Sequence, residues 1–357
     1  MSFLKRIFGL TDKIEYVENI DGADANASDE VNEPVVQEEP LPENEASADE
    51  PADPEEEHER RYRFETLRDD GLRAMQSGHV EYAVQCLTAA LEYQDDSETW
   101  YSLSECYTHL NQGAKALPIL LRLQGETPQN AQLYTDAAIA AEQMQDWTLM
   151  AANAGKALEL TPDDDNALYL LARSKFCQGD FLGAEQDLTT LLEHDAQYVT
   201  VRLLRARTYY EQGKLDDVQS DLDVLVKDES ATEGAWLLQG MMCEQKGEWD
   251  AAVSAYQRML ELDPFNTEAP LRIARIYMDQ NRPKEALAVL GEAISMREDF
   301  IPAYKLRAEV KRSIGDAAGA DDDEAKASQL VPENMRGEEN LEERMNNFYK
   351  SINPYGF

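Results

Sequence analysis

The sequence predicts an all-α fold, a right-handed α-solenoid of about eight helix-turn-helix repeats. Three observations predict this class. Anchor residues of similar type recur every 34 residues over most of the chain. The composition favours helices over sheets, because hydrophobic residues make up 43% of the sequence and aromatic residues only 8%. A single helix pair cannot bury its own apolar face, so consecutive pairs are expected to stack around a concave groove.

The first element is a short basic amphipathic segment over residues 1–11. Apolar residues surround two basic residues in the run Phe3, Leu4, Lys5, Arg6, Ile7, Phe8 and Leu10. A secretory signal is not expected, because the charges lie inside the apolar stretch and acidic residues follow it. We interpret the segment as a docking motif captured by a partner or by the solenoid itself. A weak anchor on a membrane surface is the alternative.

The second element is an acidic arm over residues 12–60. Residues 12–59 contain 19 acidic residues and a single basic residue, Lys13, with five prolines among them. Such a composition buries too little apolar surface to offset the entropy of ordering, so the arm is predicted to be disordered. Either it folds back and competes with partners for a basic groove, helped by its tether, or it only keeps the chain soluble.

The third element is the repeat region, residues 64–334. A turn residue, usually Gly or Asn, stands five positions before each anchor residue. The eight combinations are Gly78/Ala83, Asn111/Ala116, Gln145/Met150, Gly179/Ala184, Gly213/Val218, Gly247/Ala252, Asn281/Ala286 and Gly315/Ala320. The anchors are 34 residues apart except for the first interval, which is one shorter. Repeats therefore begin near residues 64, 97, 131, 165, 199, 233, 267 and 301.

Three residue types give this register a physical meaning. The turn residue tolerates a positive φ before each second helix. Proline after a second helix, as at Pro128, Pro162 and Pro264, ends that helix before the next pair begins. Small residues in each first helix let the two helices of a pair approach closely: Gly71, Ser104, Ala138, Ala172, Ala206, Gly240, Ala274 and Ala308.

The repeats resemble those of the tetratricopeptide-repeat family. Residues 233–266 match its pattern best, with Trp236, Gly240, Gly247, Ala252, Tyr256 and Pro264 where the family has them. The resemblance extends over the repeat region and implies a scaffold that binds other polypeptides. It also implies that first helices line the concave face, chiefly through the second, fifth, ninth, twelfth and thirteenth positions of each repeat.

Those positions supply the candidate peptide-binding residues, namely Tyr169, Arg173, Phe176, Leu203, Arg207, Tyr210, Leu237, Met241, Leu271, Arg275 and Met278. Apolar and aromatic side chains edged by guanidinium groups suit a peptide that carries carboxylates as well as apolar side chains. Alternatively, the arginines pair with acidic residues on adjacent helices, such as Glu211, Glu244 or Asp279, and only keep the groove soluble.

The last element covers residues 335–357. Leu341, Met345, Phe348 and Ile352 recur with the spacing of one helix face. We predict a capping helix that covers the last repeat, followed by a short tail. A partner-binding helix would show the same pattern.

The sequence carries no recognisable catalytic, nucleotide or metal site. A formal charge of −38 disfavours binding to nucleic acid or anionic lipid. The four cysteines are far apart, which favours free thiols in a reducing compartment over a disulfide framework or a zinc site. The four histidines are interpreted as surface residues, and the acidic run 321–323 is given no functional meaning. No apolar run approaches the roughly 18 residues of a membrane-spanning helix.

The sequence therefore predicts a cytoplasmic, non-catalytic scaffold or adaptor that binds another protein or peptide in its concave groove, without cofactor or metal. The alternative is a membrane-associated assembly or secretion factor recruited through its N-terminal segment. No nucleic acid and at most weak peripheral membrane contact are expected. The partner, the pathway and the oligomeric state are not specified by the sequence.

Overall fold

In the computed structural model, the described residues 54–227 and 232–331 form sixteen α-helices and no β-strand, which confirms the predicted all-α class. The helices are α1 (Pro54–Gln76), α2 (Val80–Leu91), α3 (Ser97–His109), α4 (Gly113–Glu126), α5 (Ala131–Gln143), α6 (Trp147–Leu160), α7 (Asp165–Cys177), α8 (Phe181–His194), α9 (Val199–Glu211), α10 (Leu215–Leu225), α11 (Glu233–Lys246), α12 (Trp249–Leu262), α13 (Ala269–Asp279), α14 (Pro283–Met296), α15 (Ile301–Ser313) and α16 (Ala317–Leu330).

The helices form eight consecutive pairs, α1/α2 to α15/α16, and the two helices of every pair pack on each other. They group into two compact units, α1–α4 and α5–α16. Within each unit the second helix of one pair also packs on the first helix of the next. In the larger unit, the first helices α5, α7, α9 and α11 also contact one another in succession, so they form one layer.

The 34-residue register predicted both the turns and the core. All eight turn residues have a positive φ, and the three that are not glycine, Asn111, Gln145 and Asn281, have φ values of 56°, 57° and 56°. All eight anchor residues are completely buried. The turn residue and the anchor residue stand at the same positions in every repeat. Each second helix is therefore expected to contact its first helix at the same height along the helix axis.

The structure differs from the sequence-based boundaries at the start of α1. This helix begins at Pro54, so residues 54–60, which the composition assigned to the disordered arm, are helical. Proline suits the first helical position because its fixed φ is already helical. Acidic residues 55–57 occupy the first turn, where the helix dipole favours negative charge. The basic segment, the rest of the arm and the predicted capping helix fall in residues 1–53 and 332–357, outside the described residues.

A second difference concerns α13, which begins at Ala269, two residues after the repeat start near 267. The side-chain oxygen of Asn266 accepts hydrogen bonds from the backbone N–H groups of Glu268 and Ala269, at 3.0 and 2.9 Å. Asp164 accepts the same two bonds at the start of α7, which begins directly after it, so the bonds of Asn266 cap this end without setting the later start of α13.

The small residues of the first helices are buried in all eight pairs, and at Gly240 the two helices lie too close for any side chain. A Cβ atom added to Gly240 would lie 2.3 Å from Cε1 of Tyr256. The Tyr256 ring is completely buried, and its hydroxyl donates a hydrogen bond to the Glu244 carboxylate, so it cannot simply move aside. By contrast, a Cβ added to Gly155 in α6 would meet no atom within 4 Å.

Buried ion pairs join the two helices of the fifth and eighth pairs. The Asp323 carboxylate accepts hydrogen bonds from Nη2 and Nε of Arg307 at 2.6 and 2.9 Å, and lies 2.8 Å from Nζ of Lys311. In the fifth pair, Arg205 makes the equivalent two bonds to Asp221 at 2.6 and 2.8 Å. Each arginine is the seventh residue of its repeat and each aspartate the twenty-third, which makes the pair a feature of the register.

The Asp323 pair also determines how that carboxyl group titrates. Burial disfavours its ionised form, but the hydrogen bonds from Arg307 and Lys311 outweigh burial and hold the pKa of Asp323 below its usual range. Asp323 belongs to the acidic run 321–323, which composition alone made unremarkable, whereas its neighbour Asp321 is three-quarters exposed.

Substituting the two glycines should have opposite effects on stability. Gly240→Ala should lower the free energy of unfolding by about 2 kcal/mol, because the added methyl group overpacks a closed crossing. Gly155→Ala should raise it by about 0.5–1 kcal/mol, because alanine favours an open helix position. Urea unfolding of the full chain followed by circular dichroism measures both. Equal changes of the same sign would contradict the inferred crossing.

Replacing Asp323 should destabilise the chain in a pH-dependent way. Asp323→Asn should lower the free energy of unfolding at pH 7 by about 2 kcal/mol, since it leaves two half-buried cations without their carboxylate. Because the folded pKa is lowered, this contribution is complete above the unfolded pKa of about 3.9 and disappears as the pH falls through the folded pKa.

The control for Asp323→Asn is Asp321→Asn, which removes an exposed carboxylate that lies 3.6 Å from Arg312. Its effect should stay within about 0.5 kcal/mol at every pH. Urea unfolding between pH 3 and pH 7 separates the two variants. A loss for Asp323→Asn that persists unchanged at the acid end would exclude the ion pair as its cause.

Candidate peptide-binding site

A cavity of about 390 Å³ opens on the layer of first helices in the larger unit. We call it the arginine cavity. Helices α5, α7, α9 and α11 and the start of α6 supply its lining, which consists of Glu142, Gln143, Gln145, Trp147, Tyr169, Arg173, Phe176, Cys177, Thr200, Leu203, Leu204, Arg207 and Gly234. Five of these were candidate peptide-binding residues from the sequence: Tyr169, Arg173, Phe176, Leu203 and Arg207.

The two arginines of the cavity are held in different ways. Nε of Arg173 lies 2.8 Å from Oε1 of Glu142 on the preceding first helix, and the arginine side chain is still 43% exposed. The guanidinium carbon of Arg207 lies 5.2 Å from the centre of the Phe176 ring, a cation–π distance. One arginine is therefore positioned by a carboxylate and the other by an aromatic face.

The aromatic wall of the cavity is fixed from behind. The rings of Phe176 and Phe181 meet edge to face with their centres 5.6 Å apart. Tyr169 and Phe176 are half-buried and pack against a core cluster contributed by α7, α8 and α9. Leu203 packs against the next core cluster along the chain. These side chains offer one face to the cavity while the other face belongs to the core.

Positive charge accumulates in this cavity although the chain as a whole is strongly acidic. Burial, and secondarily the charge of Arg173, hold the pKa of the Arg207 guanidinium below its usual value, yet arginine remains protonated at neutral pH. Burial raises the pKa of the Cys177 thiol, while Arg173 and Arg207 oppose that rise. An anionic group entering the cavity would therefore meet two cations partly removed from water.

The other six candidates lie outside the arginine cavity. Tyr210 and Met241 are half-buried against the core cluster of α9–α13, and Leu271 and Met278 against that of α13–α16. Leu237 is only 1% exposed, so it belongs to the core and offers no surface for a ligand. Arg275 is exposed and forms no ion pair with another described residue.

The prediction from the sequence missed several lining residues, although their positions in the repeats indicate them. Glu142 is the twelfth residue of the third repeat, Cys177 the thirteenth of the fourth, and Thr200 the second of the fifth. All three occupy positions that line the groove in the family. None of the three is among the predicted residues, because those begin at the fourth repeat and are apolar, aromatic or basic. Glu142 was also not expected as an ion-pair partner. It pairs with Arg173, whereas the acidic residues named for such pairing were Glu211, Glu244 and Asp279.

The described residues offer little for other chemistry. The four histidines are all exposed, as expected. No group of three or more His, Cys, Asp or Glu residues within residues 54–227 and 232–331 could hold a metal ion. In the same ranges no helix is long and apolar enough to cross a membrane.

Comparisons with known sequences point to one family. Profiles described as "Tetratricopeptide repeat" match residues 69–131, 203–267 and 245–310. A profile described as "Tetratricopeptide repeat protein 21 second ARM domain" matches residues 156–213. Together these matches extend from the first repeat to the eighth.

Individual relatives are distant. The chain is similar to the BBSome complex member bbs-4 of Caenorhabditis elegans, with 28% identity over 39% of this chain and 32% of that protein. It is also similar to DnaJ protein P58IPK homolog B of Oryza sativa subsp. japonica, with 25% identity over 50% of this chain and 41% of that protein. The chain thus spans less than half the length of these two relatives.

A solved structure has a similar fold. The crystal structure of a tetratricopeptide repeat protein from Parabacteroides merdae matches 79% of this chain and 97% of that protein's chain, with 16% identity and a TM-score of 0.48.

Thiol chemistry provides a direct probe of the arginine cavity. Cys86, Cys106 and Cys243 are buried and Cys177 is exposed. We therefore expect one thiol of the native chain to react with iodoacetamide at least about 100-fold faster than the others, which must wait for local unfolding. Mass spectrometry of the alkylated chain identifies the thiol.

The arginines should tune the reactivity of Cys177. Arg173→Gln should slow its alkylation at pH 8 by a few fold, about 2–5, because a positive charge that favours the thiolate is lost. The matched control, Arg258→Gln on the exposed surface of α12, should leave the rate unchanged. Fast reaction at a second cysteine would show that the packing inferred here is incorrect.

Proposed function

This chain belongs to the tetratricopeptide-repeat proteins, and we propose its function on that basis. The fold is that of a protein–protein interaction scaffold. We propose that this scaffold is non-catalytic and that it binds a segment of another polypeptide in the arginine cavity of its larger unit. A reducing compartment such as the cytoplasm suits the four free cysteines.

One observation supports the location above all others. Five candidates chosen only by their position in the repeats converge on a single cavity, although they lie on the separate helices α7 and α9. Together they combine two guanidinium groups with two aromatic rings and a leucine. This mixture provides both an apolar contact and a charge-assisted hydrogen bond, the two requirements for holding a peptide with a defined orientation.

The chemistry of the cavity suits a segment with an aliphatic or aromatic side chain next to a carboxylate. The apolar side chain would rest against Tyr169, Phe176 and Leu203. The carboxylate would be drawn to Arg207 and to the exposed edge of Arg173, whose Nε is already bonded to Glu142. Because Arg207 is partly removed from water, a bond to a carboxylate should contribute more there than at an exposed arginine.

The names of the relatives support a role in assemblies. The similar protein from Caenorhabditis elegans is named as a member of a complex. We extend only this general role to our chain, since the compared region covers a third of that relative. Arg275, which is exposed on α13, would then serve as a peripheral contact for a longer ligand and not as part of the cavity.

The decisive experiment identifies the ligand at the cavity itself. Thr200, an exposed lining residue, is replaced by a photo-cross-linking amino acid, and the polypeptide captured in cells is sequenced at the point of attachment. The captured segment is then synthesised, and its dissociation constant for the purified full chain is measured. We expect the segment to contain a large apolar residue within a few positions of Asp or Glu.

Variants of the full chain test the role of the cavity. Arg207→Gln should weaken binding of the synthetic segment about 10- to 100-fold, the cost of losing one charge-assisted bond in a partly buried site. The control Arg258→Gln should bind like the wild type. Equal affinities of Arg207→Gln and wild type for a segment captured at Thr200 would refute the proposed mode of binding.

A further inference from the structure

A second cavity of about 280 Å³ lies elsewhere in the larger unit and shares no residue with the arginine cavity. We call it the apolar cavity. Helices α12, α13 and α14 and the loops that follow α12 and α14 form it. Its walls include Leu260, Phe265, Ile273, Val289, Met296 and Phe300. Unlike the arginine cavity, it contains no pair of cations.

The apolar cavity exposes more hydrophobic surface than a closed core would. Phe265 and Met296, which both line it, are 61% and 49% exposed. Phe265 lies in the loop of residues 263–268, between α12 and α13. Two large, exposed apolar side chains at one opening form a patch of the kind that marks a binding surface.

The charge at its rim is negative. Glu292 lines the cavity, is exposed and forms no ion pair with another described residue. The other charged lining residue, Arg297, has Nε 3.2 Å from Oδ1 of Asp299, so its charge is already balanced. Glu298 adds a further exposed carboxylate next to it. An occupant with apolar side chains and positive charge therefore fits best.

We propose that the apolar cavity is the docking site of residues 2–10 of this chain. This segment supplies Phe3, Leu4, Ile7, Phe8 and Leu10 together with Lys5 and Arg6, and residues 1–11 contain no acidic residue. Two of its large side chains fill the opening beside Phe265 and Met296. Its basic residues face Glu292 and Glu298.

The other sequences outside the described residues fit less well. Residues 332–357 also contain large apolar residues, but with five glutamates against three basic residues they would be repelled by the rim. Residues 12–53 are acidic throughout, so they suit the arginine cavity rather than this one. The 43 residues 11–53 can span up to about 140 Å, and because they tether the segment to the helices they raise its effective concentration at the cavity.

Photo-cross-linking in the full chain tests the docking directly. Benzoylphenylalanine is placed at Phe8, and the cross-linked peptides are mapped by mass spectrometry. The expected attachment points lie in residues 257–266 and 289–300. The same probe at Tyr16, beyond the segment, should mark those residues at least about five times less, because it stands outside the docked stretch.

Changes in the cavity should abolish the cross-link without unfolding the chain. The double variant Phe265→Ser/Met296→Ser removes two exposed apolar side chains and should lower the yield about tenfold. Leu182→Ser, which removes an equally exposed side chain on α8, should not change it. Glu292→Lys should reduce the yield a few fold, about 2–5, by reversing the charge of the rim, whereas Glu193→Lys on α8 should have no effect.

Three outcomes would overturn the proposal. The first is that the cross-links from Phe8 map outside residues 257–266 and 289–300. The second is that they occur only in covalent dimers and decrease on dilution, which would mean that the segment binds a second copy of the chain. The third is that the chain sediments with anionic vesicles through residues 1–10 and gives no cross-link to the cavity, which would make the segment a membrane anchor.

Discussion

In every helix pair, the small residue of the first helix and the anchor residue of the second helix are both buried. At Gly240 there is no room for a single methyl group beside Tyr256. The turn between the two helices has a positive φ in all eight pairs, in three of them without glycine. Stacked at fixed intervals, the pairs bring chosen positions of the first helices into one layer. The arginine cavity exists because that layer repeats without losing register from α5 to α11.

Charge is distributed unevenly over the described helices, and its distribution distinguishes buried structural ion pairs from the cavities proposed as binding sites. Asp221 and Asp323 are buried carboxylates, each neutralised by an arginine of its own pair, so their charges hold the helices together. Arg173 and Arg207 lie instead at an open cavity, where Arg173 pairs with Glu142 and Arg207 lies over the Phe176 ring. A strongly acidic chain thus keeps a local excess of positive charge in one cavity and an acidic rim around another. The two proposed sites would therefore take ligands of opposite charge.

Much of the fold could be predicted because its determinants are local. The turn, the anchor and the small residue lie within one repeat, and each repeat contacts mainly its neighbours, so periodicity alone gives the number and order of the helices. Prediction was weaker at two helix starts. Pro54 starts α1 within a stretch whose acidic composition indicated disorder, and α13 begins two residues later than the register predicts. Both are local differences at a helix end, which an average over composition cannot detect.

The sequence by itself determined the repeat length, the buried anchors and the positions from which a binding surface can be built, because these follow from periodic steric requirements within each pair. Only the tertiary structure decided which of those positions share a site. It collected Tyr169, Arg173, Phe176, Leu203 and Arg207 into one cavity, and it placed Leu237, at an equivalent position, in the core. It also paired Arg173 with Glu142 across two repeats and buried one aspartate of an ordinary acidic run. Exposure and pairing depend on side chains brought together from different helices, and that information is absent from any one repeat.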